Sequence, residues 1–182
     1  MKVYISLLRG INVSGQKLIK MDALQKSYTS LGLKHVQSYV QSGNLVFSAE
    51  NTESGELEDR IRAMIEQEYG FDVPVQVLTA EYLEKVVEAN PFAKDDSKDP
   101  SFFHLTFLSE TPGSIDIENI EAKKLPGEEI IIRDKVIYLY CPNGYGKTKL
   151  NNNFLETKCK VGATTRNWKT SRELLRIAGE LK

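Results

Sequence analysis

Cysteine and histidine are scarce in this chain, and the scarcity removes several kinds of chemistry. The two cysteines, Cys141 and Cys159, are too few for a disulfide framework and have neither C-x-x-C spacing nor a neighbouring histidine. They are expected to be reduced and structural, which suits a cytoplasmic protein. The two histidines, His35 and His104, stand far apart in apolar, β-rich stretches, with no H-x-x-x-H or His/Cys/Asp grouping. No metal site is therefore expected, and no cofactor is implied. No apolar run approaches the ~18 residues of a membrane span. The first ten residues, MKVYISLLRG, lack a small-residue cleavage site and read as a first strand, not as a secretory signal. No membrane partner is expected. G-x-S-x-G is absent. The acidic stretch from Asp95 to Asp99 lacks the glycine and the twelfth-position glutamate of a calcium loop.

What is present is ordinary globular material: 182 residues, 41% hydrophobic and 27% charged. That suits one domain or two half-domains with a real core. The net charge of −1 excludes a wholesale polyanion binder, but its distribution is uneven. From Lys147 onward the chain carries a net +6, which leaves −7 on residues 1–146. The last fifth is thus a candidate anion-facing surface, or else a solvated basic helix face.

Periodicity supplies the architecture. KVYISLL reads as a strand followed by a glycine-bearing loop, and Leu24, Tyr28 and Leu31 mark a helix from Met21 that ends at Gly32. HVQSYVQ and NLVFSA form a hairpin about Ser42-Gly43. Leu57, Ile61 and Ile65 mark a second helix closing at Gly70, and DVPVQVL is a strand that Pro74 places at a start or an edge. The order βαββαβ is that of a ferredoxin-like unit. Thr79 is placed to cap a linking helix with Leu83, Val86 and Val87 turned inward. After the proline- and charge-rich segment 91–100, the expected linker, the grammar restarts. FFHLTFL is a strand, SIDIENIEAKKL a helix with Ile117, Ile120 and Leu125 on one side, and EIIIR and VIYLY a hairpin about Asp134-Lys135. Helices are expected over about Leu150–Lys158 and Trp168–Leu181, the latter where a fourth strand would have stood. The expected fold is α+β, with a ferredoxin-like half over 1–90 and a second α+β half over 101–182.

A right-handed crossover makes the first two strands parallel, so the loop after strand one and the strand 2–3 turn meet at one sheet edge. Arg9, Asn12, Lys17, Ser42 and Asn44 are expected to gather there. Its glycine loop, GINVSGQKL, has Walker glycine spacing, but Gln16 and Lys17 stand where Lys and Ser/Thr are required.

YCPNGYGKTKLN ends in Gly-Lys-Thr between an apolar run and a helix. A true phosphate-wrapping loop needs a glycine five residues before Gly146, where Cys141 stands, and a later aspartate for magnesium, of which none follows Thr148. What survives is a basic loop, Lys147, Thr148 and Lys149, whose amides near a helix start attract anions. In ATTRNWKTSRELL, Thr164, Thr165 or Asn167 can cap the last helix. Arg166 at a helix amino terminus opposes the dipole. Arg166 and Asn167 therefore point either to a ligand or to a buried ion pair, and Trp168 reads as a core anchor. Strand one loosely matches one RNA-recognition signature, with Tyr4 at the aromatic position, but SGNLVFSA fails the other.

Four stretches, RGINVSGQK with Met21, YVQSGNLVF, GYGKTKLNNNFLETK and ATTRNWKT, together resemble one bacterial family catalogued as a domain of unknown function. Typical members read RGINVGG-x-K, YIQSGNVVF, a basic Ser-Lys-Leu stretch and TTRNWNT. Here Ser14 replaces a glycine and Thr148 a serine. The resemblance spans nearly the whole chain and implies two ferredoxin-like units, without an activity, substrate or cofactor.

Two functions fit these observations. One is binding of a phosphate-bearing small molecule or nucleic acid through Lys147, Thr148, Lys149, Arg166 and Asn167, with Arg9, Asn12, Lys17, Ser42 and Asn44 as a second cluster. The other is an enzyme whose pocket is lined by the RGIN and QSGN loops. A protein-interaction module remains open, as does the oligomeric state.

Overall fold

The computed structural model describes residues 1–181 and divides into two compact units. One comprises Met1–Lys85 with Arg172–Lys182, the other Val86–Ser171. Segment 91–100 lies in the second unit, where Pro91–Lys94 and Pro100–Phe102 form single 3-10 turns capped by Asn90 and Asp99.

The first unit contains β1 (Lys2–Leu8), α1 (Met21–Ser30), β2 (Lys34–Tyr39), β3 (Asn44–Ala49), α2 (Ser54–Tyr69) and β4 (Val75–Thr79), and α3 (Ala80–Glu88) begins in it. Its sheet is antiparallel in the order β2-β3-β1-β4. One face meets α1 and α2. Tyr4, Leu8, Leu45 and Phe47 pack with Leu24, Tyr28, Leu57, Ile61 and Ile65 there. The Tyr28 hydroxyl, fully buried, is satisfied by Ser6 at 2.9 Å. Val3, Ile5, Leu7 and Val46, on the opposite face, are buried too. Burial on both faces explains why KVYISLL reads as a continuous apolar run and does not alternate.

The second unit repeats the plan with β5 (Phe103–Leu108), α4 (Ile117–Lys123), β6 (Glu129–Arg133), β7 (Val136–Tyr140), α5 (Asn152–Cys159) and β8 (Ala163–Asn167), then α6 (Trp168–Glu180). Its sheet order is β6-β7-β5-β8, again antiparallel. Leu108, Ile137, Leu139 and Ala163 meet Ile120, Leu155 and Cys159 from α4 and α5. Cys141 and Cys159 are free and fully buried, and burial lifts the Cys141 thiol to about 11, so neither is a reactive thiolate at neutral pH.

Two expectations need correcting. ATTRN, taken for a helix approach, is the fourth strand, so the second unit is as complete as the first. The segment is too short and polar for its periodicity to show, and pairing with β5 decides its conformation. Ile117 was expected to turn inward with Ile120 but is 49% exposed. It is the first helical residue, and a helical side chain leans toward the turn before its own Cα, which here does not exist.

The repeat extends to individual hydrogen bonds. Leu8 N donates to Gly43 O and Arg9 N to Pro74 O, just as Leu108 N donates to Lys135 O and Ser109 N to Gly162 O. Each unit's last strand runs straight into a helix that its final residue caps. Thr79 Oγ1 accepts from Tyr82 N at 3.1 Å, and Asn167 Oδ1 from Thr170 N at 2.7 Å. One edge strand of each sheet, β4 and β8, is also guarded by a helical carboxylate: Glu58 accepts from Val77 N and Glu156 from Ala163 N.

Candidate anion site

In the first unit the β1–α1 loop and the β2–β3 turn meet at the expected edge. Asn12 is the clasp between them. Its Nδ2 donates to Gln41 O at 2.8 Å and to Ile19 O at 3.0 Å, and its Oδ1 accepts from Ile19 N at 2.8 Å. Asn44 Nδ2 donates to Tyr39 O and to Ser42 Oγ. Lys17 Nζ donates to the Asp72 carbonyl at 2.6 Å, while the Asp72 carboxylate takes a bidentate bond from Arg62. Asn12 (φ 55°), Ser14 (51°), Lys17 (46°) and Val40 (52°) all hold left-handed backbone, unusual for side-chain-bearing residues and most of all for a β-branched valine. Asn12, Ser42 and Asn44 are thus joined at this edge, while Lys17 is tied to Asp72. The polar groups of Asn12 and Asn44 are used to hold the edge in shape.

In the second unit the GYGKTK turn and the β8–α6 junction converge. Cys141 N donates to Phe102 O, which ties the start of the turn to the entry of β5. Tyr145–Lys147 is one 3-10 turn after Gly144 (φ 93°). The Tyr145 ring stacks on His104 with centroids 4.5 Å apart, and His104 pairs across the sheet with Asn167. Burial draws the His104 imidazole below its ordinary pKa, so the ring is neutral at pH 7. Arg166 Nη1 donates to Thr165 O at 3.0 Å. The residue is only partly exposed, and burial pulls its guanidinium down to about 10, an effect the nearby Tyr145 phenol partly offsets. The Gly-Lys-Thr turn is therefore tied to the β5–β8 edge through Tyr145, which lies close enough to Arg166 to influence its charge.

The turn is no phosphate cradle. The amides of Gly144, Lys147 and Thr148 donate to Cys141 O, Gly144 O and Tyr145 O. Those three donors are used within the turn, which leaves fewer amides for an anion than the sequence suggests. Thr148 is buried and its hydroxyl accepts from Leu150 N. Asn167 is occupied as the cap of α6. Lys147 and Lys149 remain exposed and form no ion pair among the described residues, and Lys169 in the first turn of α6 is in the same condition. The turn's capacity for an anion therefore lies in its side chains. Sequence reasoning missed Tyr145 and His104. An aromatic between two glycines in GYGK was the available signal for Tyr145. His104 needed the strand register.

The DUF1697 family, described as a protein of unknown function, matches residues 1–138. The chain belongs to this family. The match includes RGINV and YVQSGN, and it ends before the GYGKTK turn. A solved structure described as that of the conserved bacterial protein SP0830 from Streptococcus pneumoniae is 24% identical, with a TM-score of 0.71 over 97% of this chain and 98% of that one. It shows a shared fold. No curated protein matches this family member. No helix among the described residues is long and apolar enough to cross a membrane, and no cluster of three or more metal-ligating side chains occurs among them.

Proposed function

We propose that this protein binds a phosphate-bearing ligand, a nucleotide or a nucleic acid, at the edge where the GYGKTK turn meets β8 and α6. The observation that carries the reading is the Tyr145–His104 stack, which fixes the turn bearing Lys147 and Lys149 against β5, the strand that pairs with the one carrying Arg166. A guanidinium whose charge is disfavoured by burial gains more from an incoming anion than a fully hydrated one does. Arginine also suits phosphate geometry through paired donors. With Thr148 and Asn167 occupied by structural bonds, the exposed Lys147 and Lys149 are the ligand-facing groups, and Arg166, itself bonded to Thr165 O, adds its charge.

The test is fluorescence anisotropy with a labelled single-stranded oligonucleotide, together with calorimetric titration of ATP, at ~50 mM salt. Binding should weaken steeply with salt, because phosphate contacts release counterions. Lys147→Ala with Lys149→Ala should weaken binding about tenfold and flatten the salt slope by about two phosphate contacts. Salt-independent affinity, or no binding of either probe, sinks the proposal.

A further inference from the structure

The first unit's edge and the β5–α4 loop of the second unit occupy equivalent places, each after its unit's first strand, yet they differ in charge. The segment 9–20 contains Arg9, Lys17 and Lys20 and no acid. The segment 109–118 contains Glu110, Asp116 and Glu118 and no base. Five large apolar side chains are exposed among the described residues, and four of them lie on these two surfaces. Val13 (56%), Leu18 (66%) and Val40 (49%) stand on the basic edge, and Ile117 on the acidic loop. Exposed apolar clusters of this kind mark contact surfaces. Beside the acidic loop lies an open cavity of about 450 Å3 lined by Ser109, Glu110, Glu156, Lys160, Val161 and Gly162.

We propose that the β1–α1 loop and Val40 of one copy dock head-to-tail on the 109–118 loop and its cavity in a second copy of this chain. Charge complementarity selects the occupant, since the chain itself carries both the basic apolar surface and an acidic counterpart with an exposed isoleucine. Leu18 on one surface and Ile117 on the other supply the apolar contact. Lys20, which forms no ion pair among the described residues, faces Glu110 or Glu118, which likewise form none. Asn12 clasps the loop in advance, so little ordering is lost on docking. The two surfaces differ, so the contact is either made twice in a reciprocal two-fold pair or repeated into a larger ring or an open chain.

Sedimentation equilibrium of the full chain tests this, using one variant for each surface: Leu18→Glu with Lys20→Glu, and Glu110→Lys with Glu118→Lys. The parent's average mass should rise with concentration, and each variant should associate at least tenfold more weakly. Each variant keeps the surface that the other has lost. An equimolar mixture should therefore form a one-to-one pair that grows no further, which pairing of one surface with its own copy would not do. Circular dichroism confirms folding, and Lys20→Glu alone replaces the first variant if the double substitution unfolds. A parent that is monomeric throughout, association untouched by either variant, or folded variants that fail to pair on mixing would each overturn the proposal. Lys147, Lys149 and Arg166 are untouched in both variants, so this outcome is independent of ligand binding.

Discussion

At the residue scale, the tightest constraint is Gly43. Its φ is +83°, and a Cβ there would lie 2.7 Å from Leu8 Cβ and 2.9 Å from Ile11 Cδ1. Gly43→Ala should cost ~2–4 kcal/mol, combining left-handed strain with overpacking against a core residue. Gly10→Ala has a similar φ of +77° but open space around it, and should cost only ~1–2 kcal/mol. Denaturant titration of the two variants separates overlap from conformation, and equal losses would show that the loop–turn contact is not tight. His104 carries a pH dependence. Burial sets its folded pKa below the unfolded 6.5, so the unfolded chain takes up the proton first. Its contribution to stability is complete above about 6.5 and declines as pH falls through the folded value. A His104→Gln variant should lose less stability than the parent between pH 7.5 and 5, measured by unfolding at each pH.

At the element scale, β8 and α6 are joined without a loop, and Asn167 makes that junction possible by capping the first turn. Asn167→Ala should cost ~1 kcal/mol, with Asn167→Asp close to the parent, because either oxygen can accept from Thr170 N. Thermal melts of both variants check this, and equal losses would mean that the cap contributes nothing. Thr79 does the same for α3, so the device belongs to the repeated plan. Most elements were legible from the sequence. KVYISLL, NLVFSA, EIIIR and VIYLY are strands at their expected bounds, and Gly70 (φ 77°) ends α2 as its position predicts. ATTRN was not legible. Five residues with two threonines, an arginine and an asparagine carry no apolar alternation, and what makes them a strand is the free edge of β5. The basic edge was legible from topology alone, since parallel β1 and β2 must bring their following segments to one side. That the amides of Gly144, Lys147 and Thr148 are used within the turn was not, because it depends on which carbonyls the folded turn offers.

At the scale of the whole molecule, the first unit includes both ends of the chain. Arg172–Lys182 belongs with Met1–Lys85, and within that segment Leu174, Ile177 and Ala178 are buried. Truncation after Ser171 should therefore weaken hydrogen-exchange protection in β1, β3 and β4, all far upstream in sequence. Loss of protection confined to the second unit would contradict that assignment. The same scale explains the even charge balance. A net of −1 conceals a basic carboxyl-terminal fifth and an acidic remainder, and it says little about any one surface.

The sequence by itself determined the α+β class, the repeated element order and the family. These rest on hydrophobic period, turn residues and motif order, all of which are local. It also ruled out Walker chemistry at Gly-Lys-Thr, through Cys141 and the missing aspartate. Tertiary structure decided what depends on the folded chain: the fourth strand of the second unit, the stacking of Tyr145 on His104, and the use of three loop amides within the GYGKTK turn. It also decided which polar side chains are occupied. Asn12, Asn44, Thr148 and Asn167 look available in a string of letters, yet their hydrogen bonds are already used in the fold. A side chain's chemistry can be read from its type, but whether it is free depends on which groups folding brings within about 3 Å of it.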